Sequence, residues 1–149
     1  MRLTNGFDIS SSALTAQRLR MDVISANIAN ADTTRAKLVN GKWVPYTRKL
    51  VTLETKSQPN FAQTLKSAMA DGSGEGVRVS KIMDDSSPLK QVYNPTHPDA
   101  DANGFVMMPN VDVLKEMVDM ISATRSYEAN VTALNASKAM ISKALEIGR

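Results

Sequence analysis

Cysteine is absent from the 149 residues, which excludes disulfides and thiol chemistry. There is one histidine, His97, so a typical zinc site built from histidine and cysteine ligands is excluded too. Aromatic residues make up 5% of the chain, a lean supply of large core side chains. No run approaches the roughly 20 consecutive apolar residues of a membrane span, so no direct membrane insertion is expected. The opening stretch MRLTNGFDISSSALTAQ lacks the apolar core of a cleaved secretory signal, and a secreted product would need a route without one. Arginine and lysine do not cluster. The 18 basic and 15 acidic side chains leave a formal charge of +3 spread along the chain, which reads as a solvated surface and not as a nucleic-acid partner.

What is present favours helix-to-helix contact. Nine methionines accompany many alanines, valines and leucines. From Phe7 to Ala31, steps of three and four give Phe7, Ser10, Leu14, Gln17, Met21, Ile24, Ile28 and Ala31, a heptad-like seam with two polar breaks. From Val113 the same step gives Val113, Met117, Met120, Thr124, Tyr127, Val131, Leu134, Lys138, Ile141 and Leu145. Val111, Leu114, Val118 and Ile121 widen this second stripe. Asn110 or Asp112 suits its start and Gly148 its end. A helix of about 36 residues would be roughly 55 Å long, too long to be covered by a small core, so its seam needs a partner helix in this chain or another.

The middle of the chain changes period. In KLVNGKWVPYTRKLVTLE, Asn40-Gly41 between β-prone runs is a hairpin signal, and Pro45 confines part of the stretch to an edge. GVRVSKIMDD (76–85), LKQVY (89–93) and GFVMM (104–108) read as three short strands. NFAQTLKSAM reads as a short helix and DGSGEG (71–76) as a turn or loop. The expected fold is mainly α with a small β insert: an N-terminal helical segment over 1–36, a β-rich insert over 37–108 and a C-terminal helical segment over 109–149.

Local chemistry is thin. In DADANGFV, Asp99, Asp101, Asn103 and Gly104 have the opening spacing of an EF-hand loop, but the twelfth position is Asn110, the eleventh is Pro109, and NPTHP cannot form an entering helix. His97 sits in a proline-rich turn with no nucleophile motif near it. Asp84-Asp85 and Asp99/Asp101 lie in turn-like sequence and read as surface acids. The glycines of GSGEG lead into a strand and not into a helix, so they do not build a phosphate loop. The chain is therefore expected to be a non-enzyme that uses no cofactor and no metal.

Two segments resemble one family. SANIANADTTRA (25–36), with Ala26, Asn27, Ala29, Asn30 and Thr33, resembles the motif that closes the first helix of the bacterial flagellar axial proteins, the rod and hook subunits. Arg35 and Ala36 stand where an aromatic or glycine often follows. ATRSYEANVTALNASKAMISKALEIGR (123–149) is similar to the family's closing helix, with Arg125, Tyr127, Glu128, Ala129 and Asn130 as its centre. HPDADANGFVMMPNVDVLKEMVDM (97–120) and the short overall length narrow the resemblance to the proximal-rod branch.

The resemblance implies that the terminal helices pair as an inner coiled coil and stack on neighbouring subunits in a helical tube, with the β insert further from the axis. It implies export through the flagellar type III apparatus without a cleaved signal, assembly in the periplasmic rod of the basal body, and torque transmission to the distal rod and hook. The implied partners are copies of the chain, other rod proteins, the adaptor to the membrane ring and the distal rod.

The residues expected at the assembly interface are Leu14, Met21, Ile24, Asn27, Ile28, Asn30 and Thr33 on the first segment. On the last they are Met117, Met120, Tyr127, Glu128, Asn130, Val131, Leu134, Ile141 and Leu145. Small residues such as Ala26 and Ala129 permit close helix approach. The asparagines can bond across helices or to neighbouring backbone, and a buried polar residue in a seam fixes register. The Arg125–Glu128 pair could close locally or across a subunit boundary. Two other readings compete: a generic coiled-coil adaptor, and a small calcium-binding or hydrolytic protein using residues 97–110.

Overall fold

The computed structural model describes residues 5–39, 41–56 and 76–147. Two long helices bracket three strand pairs. Helix α1 spans Asn5–Ala29 and helix α2 spans Val113–Ile147. Between them lie β1 (Lys37–Val39), β2 (Lys42–Val44), β3 (Lys49–Thr55), β4 (Val77–Asp84), β5 (Lys90–Tyr93) and β6 (Phe105–Met108). The short helix expected at NFAQTLKSAM falls outside the described residues. No helix among the described residues is long and apolar enough to cross a membrane.

Each helix end has a local cause. Asp8 sits in the first turn of α1, where a negative charge favours the helix's positive end. At its other end the Ala26 carbonyl accepts both the Asn30 N–H (3.1 Å) and the Asn30 side-chain amide (2.8 Å). The Ala31 N–H tightens onto the Ile28 carbonyl at 3.2 Å, and the Thr33 N–H onto the Asn30 carbonyl at 3.2 Å. These bonds satisfy carbonyls that a helix end leaves open. Asp112 caps α2: its Oδ1 accepts the Leu114 N–H at 3.1 Å, and its backbone carbonyl accepts the Glu116 N–H at 2.9 Å.

The strands form three separate two-stranded ribbons, β1–β2, β3–β4 and β5–β6. In the first, Val39 pairs with Lys42, and Gly41 adopts φ +78°, the positive value that tight hairpins require. β5 and β6 are antiparallel, with Tyr93 opposite Phe105 and their rings edge-on at 5.4 Å. In β3–β4, the Asp85 N–H bonds the Arg48 carbonyl and the Lys56 N–H bonds the Gly76 carbonyl, so the two strands run antiparallel.

The chain divides into two compact units, to both of which each helix contributes. One comprises Met1–Leu19, Thr52–Lys81 and Thr124–Arg149. In it Gly76 presses on α1: a Cβ there would lie 2.5 Å from Ser12 Oγ, and its φ of +107° is open to glycine. Ser12 Oγ in turn accepts the Val77 N–H at 3.1 Å, fixing the start of β4 on the helix. Ser10 and Ala16 are buried in this unit.

The other unit comprises Arg20–Val51 and Ile82–Ala123. Its buried apolar residues are Ile24, Pro45, Val106, Pro109, Val111 and Ala123, and with them lie Asn27 and Glu116 at 1% exposure each. Such a small apolar set surrounds a polar centre, and large apolar side chains remain at the surface of this unit, among them Trp43, Leu114 and Val118.

Candidate functional site

The centre of the second unit is a polar hub supplied by three stretches distant in sequence. Asn27 comes from the last turns of α1. Tyr46, Arg48 and Lys49 come from the entry to β3. Asn110 and Glu116 come from the cap and first turns of α2. The Asn27 side-chain amide donates to the Lys49 carbonyl (2.9 Å) and to Glu116 Oε2 (3.0 Å). Its oxygen accepts from the Tyr46 hydroxyl (3.0 Å) and the Lys49 N–H (2.9 Å). Both donors and both acceptor positions of the amide are thereby used.

Arg48 completes the hub. Its Nε and Nη2 reach Glu116 Oε1 at 2.7 and 2.6 Å, and Nη1 reaches Asp85 Oδ2 at 3.4 Å. Its backbone N–H donates to Asn110 Oδ1 at 2.9 Å, and Asn110 passes a bond on to the Ser87 carbonyl. Burial opposes the Arg48 charge, yet hydrogen bonds and charge from Glu116 and Asp85 outweigh it and hold the guanidinium above its ordinary pKa. The backbone and hydroxyl of Ser87, with Arg48 behind them, hold Asp85 below the usual carboxylate range. Burial is the main cause that raises the Tyr46 phenol. Arg20 and Asp119 add a second polar link between α1 and α2 at 3.8 Å.

A smaller clasp holds the acidic loop. Arg35 Nε and Nη2 reach Asp99 Oδ1 at 2.7 and 2.5 Å, and the Thr34 hydroxyl donates to Asp99 Oδ2 at 2.9 Å. His97 Nδ1 accepts the Asp99 N–H at 3.1 Å. The hydrogen bonds of Arg35 and Thr34, then the Arg35 charge, hold Asp99 below its ordinary pKa. Its two oxygens are thus already used, so the stretch that opens like a calcium loop serves to pin the β5–β6 turn to the segment after α1. Among the described residues no group of three or more histidine, aspartate or glutamate side chains is placed to hold a metal ion.

The sixteen residues expected at an interface are distributed unevenly. Ile24 and Asn27 are buried within the chain. Leu14, Met21, Ile28, Asn30 and Thr33 are half-buried, as are Met120, Tyr127, Asn130, Val131, Leu134 and Ile141. Met117, Glu128 and Leu145 are exposed. Asn27 makes both kinds of bond open to it, across to the other helix and to neighbouring backbone. Asn30 and Asn130 donate to carbonyls four residues back in their own helices, both at 2.8 Å. Arg125 and Glu128 close on each other locally at 2.8 Å. In the first turns of α2 the inward position is Glu116, one residue off the expected seam. Sequence reasoning did not single out Tyr46, Arg48 or Glu116, and it named Asn110 only as a helix cap.

The described residues thus give two long helices, three ribbons between them, and two polar clusters. Comparison with known sequences gives the class. The family described as "Flagella basal body rod protein" matches residues 7–37, and "Flagellar basal body rod FlgEFG protein C-terminal" matches residues 102–147. The chain is 59% identical to the flagellar basal-body rod protein FlgC of Bacillus subtilis, over the whole of both chains. It is 44% identical to the FlgC of Borreliella burgdorferi over 99% of this chain and 98% of that one, and 43% identical to the FlgC of Salmonella typhimurium over the whole of both. The chain belongs to the FlgC family of flagellar basal-body rod proteins.

Proposed function

We propose that this structural subunit of the basal-body rod polymerises through its two terminal helices, paired as a coiled coil, and carries torque from the motor ring to the distal rod and hook. The observation that carries the reading is the division of labour within α2. One face is satisfied inside the chain by the hub around Asn27 and Glu116. Another face keeps large apolar side chains in water, with Leu114 at 76%, Val118 at 65% and Ile121 at 60% exposure. Contiguous apolar exposure of this kind marks an association surface. A subunit with different patches on different faces makes a heterologous, non-closing contact, which is the geometry of a filament.

The hub has a mechanical role in this reading. Torque passes through a subunit only if its helices hold register, and a buried polar network that loses all its bonds on a one-residue slip fixes register more sharply than an apolar seam does. The same reading has the chain exported unfolded by the flagellar type III apparatus, without a cleaved signal, and assembled in the periplasm beside other rod proteins and the adaptor to the membrane ring. Deletion of the gene, with basal bodies purified and their proteins quantified, tests it. The expected result is loss of the distal rod and hook proteins, restored by complementation. Normal amounts of both without this chain would overturn it.

A further inference from the structure

The unit of Arg20–Val51 and Ile82–Ala123 carries two features that its own fold does not use. The first is a stripe on the opening turns of α2: Leu114, Met117, Val118 and Ile121, each between 51% and 76% exposed. It lies away from Glu116 and Ala123, which face inward at 1% and 0%. The second is an open cleft of about 350 Å³ walled by Trp43, Pro45 and Met107, with Thr34, Lys42 and residues 99–101 around it. The cleft and the stripe share no residue. Its volume is more than ten times the ~30 Å³ that a water takes in the liquid, so it admits aliphatic side chains with room to spare.

The charges around the two features are complementary. Asp112, whose Oδ1 caps the helix, precedes the stripe, and Lys115 lies beside it after Leu114, both exposed. The cleft offers Lys42 and Asp101, also exposed, while Asp99 is already neutralised by Arg35. One acid and one base on each side permit two opposite-sign pairings, Asp112 with Lys42 and Lys115 with Asp101, around an apolar contact. Rim charges of this sort select the partner and its register more than they add affinity. Trp43, 54% exposed beside Pro45, is the kind of aromatic wall at which contact energy concentrates.

We propose that the Leu114–Ile121 stripe of one copy seats in the Trp43 cleft of the next copy of this same chain. The inference rests on the chain's assembling as a rod subunit and names which surface of it meets which. Because the patch and the pocket are different places on one molecule, the contact is head-to-tail and propagates instead of closing into a dimer.

The absence of cysteine makes the test clean, since each copy then holds only the thiol introduced. Ala100→Cys and Leu114→Cys variants, differently tagged, are co-expressed and their basal bodies purified and oxidised. The expected result is a covalent pair joining the two tags, with none when both copies carry Ala100→Cys. As a second readout, D101K is expected to lower the amount of chain retained in basal bodies, and adding K115D in the same chain to restore it. Variants incorporated in normal amount but never linked, or Leu114→Cys linked to a different rod protein, would overturn the inference and leave the rod role standing. Absence of even the wild-type chain from basal bodies would overturn both.

Discussion

Arg48 Nη2 lies 2.6 Å from Glu116 Oε1, and Glu116 is 1% exposed, so the cation just before β3 is neutralised by the first turns of α2. Removing one partner strands the other charge. Glu116→Ala should destabilise the fold by about 3 kcal/mol, the lower end of the usual cost, because Arg48 keeps Asp85 as a partner. Glu116→Gln should cost less, since it still accepts the Asn27 amide. Urea unfolding followed by circular dichroism, with the fluorescence of Trp43 as the local probe, measures both. A Glu116→Ala variant within about 0.5 kcal/mol of wild type would contradict the hub.

Asn27 and Asn30 should behave differently although they stand three residues apart in one motif. Asn27→Ala removes four hydrogen bonds in a buried place and should cost about 1–3 kcal/mol of stability. Asn30→Leu and Asn130→Leu replace amides that bond back to their own helices. These two variants should remain soluble and folded but impair ordered assembly, read as lost swimming in soft agar. Wild-type motility in both would remove the assembly role given to these amides.

The acidic loop has a pH window set by Asp99. Its pKa is held below the ordinary value of about 3.9, chiefly by the Arg35 and Thr34 hydrogen bonds. A depressed carboxylate contributes stability that is present above the unfolded pKa and is lost as pH falls through the folded one. The Arg35 Nε–H chemical shift, which reports its bond to Asp99, should therefore show its transition only below about pH 4. Asp99→Asn should abolish that transition. A transition that persists in Asp99→Asn would assign it to another group.

Calcium should not bind the same loop. Titration calorimetry is expected to give no heat, because both Asp99 oxygens are engaged and position twelve is the neutral Asn110. Saturable heat that disappears in Asp101→Ala would restore the calcium reading.

The long elements were legible in the sequence for a physical reason. A helix writes its period into every third and fourth residue, so α1 and α2 were placed within a turn, and Asn40-Gly41 and the β-branched runs located the hairpin and β4, β5 and β6. The hub was not legible. Asn27 and Glu116 are 89 residues apart, and nothing local distinguishes a glutamate that meets Arg48 from one on a solvated face. The asparagines of SANIANADTTRA were visible as unusual, but their different fates follow from what approaches them: Lys49 and Tyr46 reach Asn27, while Asn30 closes its own helix.

The central proposal is that the terminal helices build the inner wall of the rod. Cryo-imaging of purified basal bodies at side-chain resolution, with and without this chain, tests it most directly. The account predicts that α1 and α2 of this chain occupy the innermost radius of the proximal rod, with the β1–β2, β3–β4 and β5–β6 ribbons outside them, and that this density vanishes when the chain is removed. A complete proximal rod in its absence, or ribbons lining the axis with the helices outward, would contradict it.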